Sequence, residues 1–437
     1  MEVTIIGGGL AGVEAAYQLA RRGYGVTLFE MRPHRSTPAH TTPYLSELVC
    51  SNSLKSNEIS NAHGLIKEEL RRLGSLLIRV ADETSIPGGK ALVVDRKTFS
   101  QRITESIKNN PFIRLIREEA LDIPSGVVII ATGPLTSDAF SKKIKEITGE
   151  ENLFFYDAIS PIIDSTSIDM SKAFYGARYM ERKEDYINCP LTEDEYNIFY
   201  DELIRAKQVP VRGFDTIPYF EGCLPIEVLA GRGKETLLYG PMKPVGLKDI
   251  QSQKRPYAVL QLRREDETGS MYNMVGFQTR LTYTEQERVF RLIPALRRAV
   301  FFRYGSVHRN TYINSPLLLN NGLQLLRDIR IFFAGQITGV EGYVESIAMG
   351  LIAGISVDKY LQKKPFIPPP EHTCIGALLK YITTVRHNFQ PMNINFGLIK
   401  NYSKKEKASV VTHALESIAK WKKMMDDSSI NRRSRLS

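Results

Sequence analysis

Two cysteines sit where a thiol could do chemistry. Cys50 stands in SELVCSNSLKSN (46–57), a small polar segment, and Cys223 in FEGCLPIEV (220–228). A buried structural thiol packs more naturally among Val, Ile and Leu. Cys223 follows a glycine and closely precedes a proline, which predicts a turn rather than a helix interior. Catalytic use requires the thiolate, reached through a nearby cation, a helix N-terminus or a neighbouring base. Composition alone nevertheless favours inert thiols at both positions. With Cys189 and Cys374 they make four widely spaced cysteines, neither a disulfide framework nor a CxxC zinc pattern. Reduced thiols, no metal site and a cytoplasmic location are therefore expected.

A second chemical signal precedes Cys50. VTIIGGGLAGVEAAYQLARRGYGVTLFEMRP predicts strand, glycine turn, helix, strand, and Gly7, Gly9 and Gly12 satisfy G-x-G-x-x-G within it. Gly7 permits the tight turn, Gly9 lets backbone approach a pyrophosphate, and Gly12 lets helix and strand pack closely. Gly8, Leu10 and Ala11 complete the loop, whose unpaired N–H groups suit an anion. Glu30 follows Gly12 by eighteen residues, at the end of the second strand. An acid there can accept hydrogen bonds from both hydroxyls of an adenosine ribose.

The elements that position these groups lie far apart in the chain. Arg96 to Ile107 has helical amphipathic spacing, FIRLI (112–116) is a strand, and VVIIATG (127–133) is a buried strand ending in a glycine turn. IRIFFAGQITGVEGYVESIAMGLIAG (329–354) gives strand, glycine loop and helix once more. These pieces predict an α/β chain with a Rossmann-type domain assembled from discontinuous segments, 1–150 and 326–437. Residues 151–325 are expected to form a mixed α/β insertion domain, with RPYAVLQLR (255–263) and MYNMVGFQT (271–279) as half-buried strands. Ala131, Thr132 and Gly133 supply a usual second contact of two-dinucleotide flavoproteins. The segment containing Gly335, Gln336, Gly339, Glu341, Gly342 and Tyr343 fits the place where a helix N-terminus meets the flavin ring. FAD is thus expected over NAD, and a separate nicotinamide domain is not.

The 437 residues, 43% hydrophobic and 24% charged, describe an ordinary soluble protein. There is no apolar run of membrane-spanning length and no basic leader, which argues against secretion. The net charge of +10 leans towards an anionic partner, and residues 401–437 hold nine Lys/Arg against four acids. KKPFIPPPEHT (363–373) is a semi-rigid connection. After it, Val411, Ala414, Leu415, Ile418, Trp421 and Met425 make an apolar stripe suited to docking.

Several longer motifs carry a resemblance to a known family: LFEMRP (28–33), ELVCSNSLKSN (47–57), ALVVDR (91–96), IIATGPLTS (129–137), EGCLPIEV (221–228), GPMKPVGL (240–247), VGFQT (275–279), HRNTYINSP (308–316), AGQITGVEGYVES (334–346) and NFQPMNINFGL (388–398). From about residue 3 to 400 the chain resembles the TrmFO family of folate- and FAD-dependent RNA methyltransferases, which make 5-methyluridine in the T-loop of bacterial tRNA. The resemblance implies that reduced FAD carries the one-carbon unit of methylenetetrahydrofolate to uracil C5, with NADPH or NADH as reductant. It implies Cys223 as the nucleophile towards uracil C6 and Cys50 as general base or assisting thiol. Tyr343 is then placed to stack on the flavin or the base, and His308 and Arg309 to hold folate or polarise a carbonyl. Partners implied are tRNA, folate and a nicotinamide dinucleotide, with no membrane and no obligate protein partner. Three other readings remain open: the same chemistry on ribosomal RNA, a GidA-type wobble-uridine enzyme, or an RNA-binding protein with structural FAD.

Overall fold

Short apolar runs with no room for a helix pair side by side to make the first layer. In the computed structural model, which describes residues 2–37, 39–151, 153–178, 185–210, 219–247, 256–400 and 407–427, the first sheet has six strands. Their order is Gln324–Leu325, Asp328–Phe333, Val127–Ile130, Glu2–Ile6, Gly25–Phe29 and Ile113–Ile116. All pairings are parallel except the edge hairpin of Gln324–Leu325 with Asp328–Phe333. The central strand sets Val3 opposite both Val26 and Val127. Burial on both faces accounts for the unbroken Val/Ile composition of these runs.

Helices Leu10–Ala20 and Tyr343–Leu361 lie against each other over this sheet. Their backbones approach closely because the second presents glycine: a Cβ on Gly350 would lie 2.3 Å from the Ala11 carbonyl oxygen. The C-terminal helix, Lys407–Asp427, packs on Ala62–Leu73. Val411, Ala414, Leu415, Ile418, Trp421 and Met425 are all buried there, each large side chain contributing roughly 1.5–3 kcal/mol. Trp421 Nε1 also donates to the Ile367 carbonyl at 2.8 Å, inside the proline-rich connection. The stripe is a docking face. Of the basic tail, Lys404, Lys405, Arg432, Arg433 and Arg435 lie outside the described residues.

A second, antiparallel sheet follows the order Phe174–Tyr175, Tyr186–Leu191, Ala258–Arg264, Met271–Met274, Ile162–Asp164, Phe301–Arg303. Half-burial was the expectation for Ala258–Arg264, but both faces of this strand are covered. Its polar residues explain why: Gln261 donates to Asn188 Oδ1 at 2.9 Å, and Arg263 Nε donates to Asn52 Oδ1 at 3.0 Å. That face is sealed against the segment carrying Cys50 instead of facing water. Strand Met271–Met274 ends before Val275, so the VGFQT part of the expected strand is a turn with Gly276 at φ +77°.

Between the sheets runs an antiparallel ribbon, Leu153–Ile159 with Ser306–Tyr312, which pairs Asp157 with His308. Phe155 and Tyr312 of this ribbon belong to the core of the parallel sheet, whereas a separate core spans Ile163 to Ala299. Among the described residues no helix is long and apolar enough to cross a membrane.

Candidate active site

The glycine cradle opens at the C-terminal ends of the parallel strands, where such sheets bind ligands. Gly7 has φ +111°, and a Cβ there would meet the Ala131 carbonyl oxygen at 2.4 Å. A Cβ on Gly12 would lie 1.9 Å from the Gly7 oxygen, so residue 12 governs how tightly helix packs on strand. Around Gly9, by contrast, a Cβ would meet nothing within 4 Å. Gly9 starts the helix, and no side chain caps it, leaving first-turn N–H groups for an anion. These features fit a dinucleotide pyrophosphate.

A cleft of about 1030 Å³, including its open mouth, is lined by Gly7, Gly8, Gly9, Leu10, Ala11, Glu30, Ala131, Thr132, Gly133, Gly335, Gln336 and Tyr343. Gly12 lies behind it, as a packing residue. Gly339 is elsewhere: it turns at φ +83° beneath Phe389, whose ring a Cβ would strike at 2.4 Å. Glu341 and Gly342 line a neighbouring cavity.

Glu30 is more heavily engaged than its spacing implied. Its Oε1 accepts from Arg32 N (3.0 Å) and Nε (2.9 Å), and its Oε2 from Gly8 N (3.1 Å) and Arg32 Nη2 (3.2 Å). Burial works to raise its pKa, but the bonding and facing Arg32 guanidinium holds it below the usual carboxylate value. A ribose hydroxyl would share this anion with Arg32. Arg32 Nη1 reaches on to Glu47 at 3.0 Å, tying the cradle to the approach of the Cys50 segment. Glycine at position 8 has a local reason, since a Cβ would press on Leu45 at 2.6 Å and the Glu30 carboxylate at 2.8 Å.

Both nominated cysteines line one cavity of about 1130 Å³, open to solvent, with Lys55, Asp157, Arg263, His308, Asn310 and Glu341. It shares Val49, Pro134, Leu135, Gln336 and Tyr343 with the cleft, so the two spaces abut along one wall. Cys50 and Cys223 are partly exposed, whereas Cys189 and Cys374 are buried in packing.

The Cys50 segment is held by backbone bonds from several elements. Tyr343 Oη accepts from Cys50 N (2.8 Å) and Ser51 N (3.1 Å). Arg96 Nη1 donates to the Leu48 carbonyl at 2.7 Å, and Arg303 Nη1 to the Val49 carbonyl at 3.1 Å. Arg263 Nη2 donates to Ser51 Oγ at 3.1 Å. Small polar residues flank Cys50 because they are the partners of this clamp. Cys223 ends a short 3-10 turn, Glu221–Cys223. Phe220 N donates to the Tyr156 carbonyl at 3.3 Å, anchoring that turn beside Asp157.

Neither thiol lies in a cation-activated setting. Burial, reinforced by Asp157, pushes the Cys50 thiol up to about 12 despite Arg303 and Arg96. Burial, Asp157, Cys50 and Glu341 hold the Cys223 thiol well above its ordinary value. A base is present instead: the Asp157 carboxyl group lines the same cavity as Cys223. Burial raises Asp157 to about 6, against the neighbouring Cys223 thiol and the Lys55 charge. Glu341 is held well above the usual carboxyl range by burial and by Asp157.

His308 lines the cavity, and burial and then Arg303 lower it to about 4, so its ring is neutral at pH 7. Arg309 does not reach the cavity. Strand alternation turns it outwards, with its guanidinium carbon 4.2 Å from the Phe154 ring centroid. Sequence reasoning missed Asp157 and Lys55. A lone acid inside the apolar strand LFFYDAI was the available signal for the first; Lys55, at φ +62°, had none.

Residues 2–365 match the family model described as glucose inhibited division protein A. A protein of Syntrophus aciditrophicus named methylenetetrahydrofolate--tRNA-(uracil-5-)-methyltransferase TrmFO is 55% identical over 427 residues, 96% of this chain and 97% of the relative. Identically named proteins of Persephonella marina and Bacillus pumilus are 55% and 54% identical, over 92% and 91% of this chain and 93% and 92% of theirs. Among solved structures, Aquifex aeolicus GidA superposes with a TM-score of 0.72 at 17% identity, covering 99% of this chain and 76% of that one. That likeness shows that the chain shares the GidA fold. The sequence matches place the chain in the TrmFO family.

Proposed function

We propose that this protein is a methylenetetrahydrofolate- and FAD-dependent methyltransferase that converts a uridine in the T-loop of tRNA to 5-methyluridine. The observation that carries this reading is the convergence of Cys50 and Cys223 on one cavity that shares a wall with the dinucleotide cleft. Bound FAD, reduced by NADPH or NADH, supplies the chemistry that passes the folate one-carbon unit to the substrate.

The rest falls to side chains. Uracil C5 is a poor nucleophile until something adds at C6. Cys223 Sγ bonds C6, and the displaced π pair leaves an enolate with electron density at C5. Cys50 serves on the same base as general base or assisting thiol for the C5 hydrogen, after which the adduct collapses and frees Cys223. Tyr343 fixes the Cys50 backbone through its hydroxyl and walls both cavities with its ring. His308, neutral at the cavity wall, offers a hydrogen-bonding face to folate. The cradle residues from Gly7 to Ala11, with Glu30, Ala131, Thr132, Gly133, Gly335 and Gln336, would hold FAD, and Gly12 sets the packing of the helix behind them.

A T-loop uridine is stacked in intact tRNA and must be extruded to reach this cavity. Phosphate contacts from surface Lys and Arg are the source of grip. The proposed FAD domain takes in 1–150 and 326–437 together with the segments around Phe155, Tyr312 and Gln324–Leu325 that join the parallel sheet and its core; the rest of 151–325 is the insertion, and the location is cytoplasmic. The test is incubation with methylenetetrahydrofolate, NAD(P)H and unmodified transcripts. A methyl group mapped to the T-loop uridine supports the reading; methylation confined to ribosomal RNA, or none, refutes it.

A further inference from the structure

Asp157 is a buried acid in an apolar strand, and the proposed reaction so far gives it nothing to do. It lies on Leu153–Ile159, opposite His308 of the paired strand, and lines the cavity of both thiols. The anchor between Phe220 N and the Tyr156 carbonyl brings the Cys223 turn to its side. Its carboxyl group shares that cavity wall with the Cys223 thiol, and its Oδ1 is buried with no partner.

The thiol needs a proton acceptor, because nothing around it lowers its pKa. The groups facing Asp157 are Cys223, Cys50, Glu341, Lys55 and His308. Burial and Asp157 hold Glu341 well above the usual carboxyl range. Cys50 is assigned above to the later C5 step, and burial raises its thiol as well. The His308 ring is engaged with Ser306 Oγ at 3.1 Å.

Resting on the function proposed above, we propose that Asp157 takes the Cys223 thiol proton as sulfur bonds uracil C6, and returns it when that bond breaks. In the forward step the S–H bond breaks, an Asp157 oxygen gains the proton, the S–C6 bond forms and the C5–C6 π pair becomes the enolate. On release the S–C6 pair returns to sulfur, which recovers the proton from Asp157. No electrons enter or leave, so no further reactant is required. Two carboxyl groups, Asp157 and Glu341, share this cavity, where environment can divide acid from base.

The experiment follows covalent complex formation between the flavin-bound protein and tRNA containing 5-fluorouridine, without folate, by gel shift from pH 5 to 10. Wild-type rates should rise to a plateau through the Asp157 titration near pH 6. Asp157→Asn should lose that limb, rise only as the thiol itself ionises, and be slower by about 100-fold or more at pH 8. Asp157→Glu, which keeps a carboxylate, should recover the limb and at least about a tenth of the rate. Flavin absorbance and melting temperature check that both variants fold. Asp157→Asn within threefold of wild type, or a folded Asp157→Glu no better than Asp157→Asn, overturns the proposal. A wild-type protein that forms no complex overturns it too, together with the thiol chemistry beneath it.

Discussion

The dinucleotide cleft and the thiol cavity share a wall yet are built on opposite plans. The cleft is a backbone device: glycines at 7, 9 and 12 set how closely chain, ligand and helix approach. Its buried acid Glu30 is bonded by Gly8 and Arg32, and the Arg32 guanidinium holds it below the usual carboxylate value. The thiol cavity is a side-chain device, drawn from segments around residues 50, 157, 223, 263, 308 and 341. There burial leaves Asp157 Oδ1 unpaired and raises the pKa of both thiols and both acids. A satisfied anion suits a site that only holds; shifted, unsatisfied groups suit a site that moves protons.

That contrast predicts different failures. Cys223→Ala should lower methyl transfer by at least about a thousandfold while flavin binding stays intact, measured by single-turnover methylation and flavin absorbance. Gly12→Val should do the reverse of sparing the cofactor. Its side chain collides with the Gly7 carbonyl, so the protein should purify without flavin and lose about 1–3 kcal/mol of stability, read by absorbance and denaturant melts.

Tyr343→Phe touches both regions. It keeps the ring between the cavities but removes the acceptor for Cys50 N and Ser51 N. Unpairing these should cost about 1–3 kcal/mol, with flavin retained and the Cys50 amide exchanging faster in hydrogen-exchange measurements. The smallest effect belongs to the docked C-terminal helix, where Lys420 and Lys423 are exposed. Replacing either with Ala should leave turnover unchanged and reduce the salt slope of tRNA binding by about 1 at most. A larger loss in turnover would make the helix part of the site.

The two plans also explain what could be read beforehand. The cleft was legible because its logic is local: Gly7, Gly9 and Gly12 sit in one turn between one strand and one helix. The docking stripe from Val411 to Met425 was legible by helical periodicity for the same reason. Cys50 and Cys223 could be named by resemblance, but not the groups that tune them. Asp157 meets Cys223 only because a ribbon folds back from residue 312 and the Phe220 amide docks on Tyr156, contacts that no spacing encodes. Tertiary cover likewise turned Ala258–Arg264 from an expected half-buried strand into a sealed one, and strand alternation turned Arg309 away while His308 faces in.

Both plans meet at one sulfur atom. After trapping on tRNA that carries 5-fluorouridine in its T-loop, protease digestion and mass spectrometry would identify which peptide retains the nucleotide. The nucleotide should sit on the peptide containing Cys223; finding it on Cys50, or on no cysteine at all, would contradict the assignment.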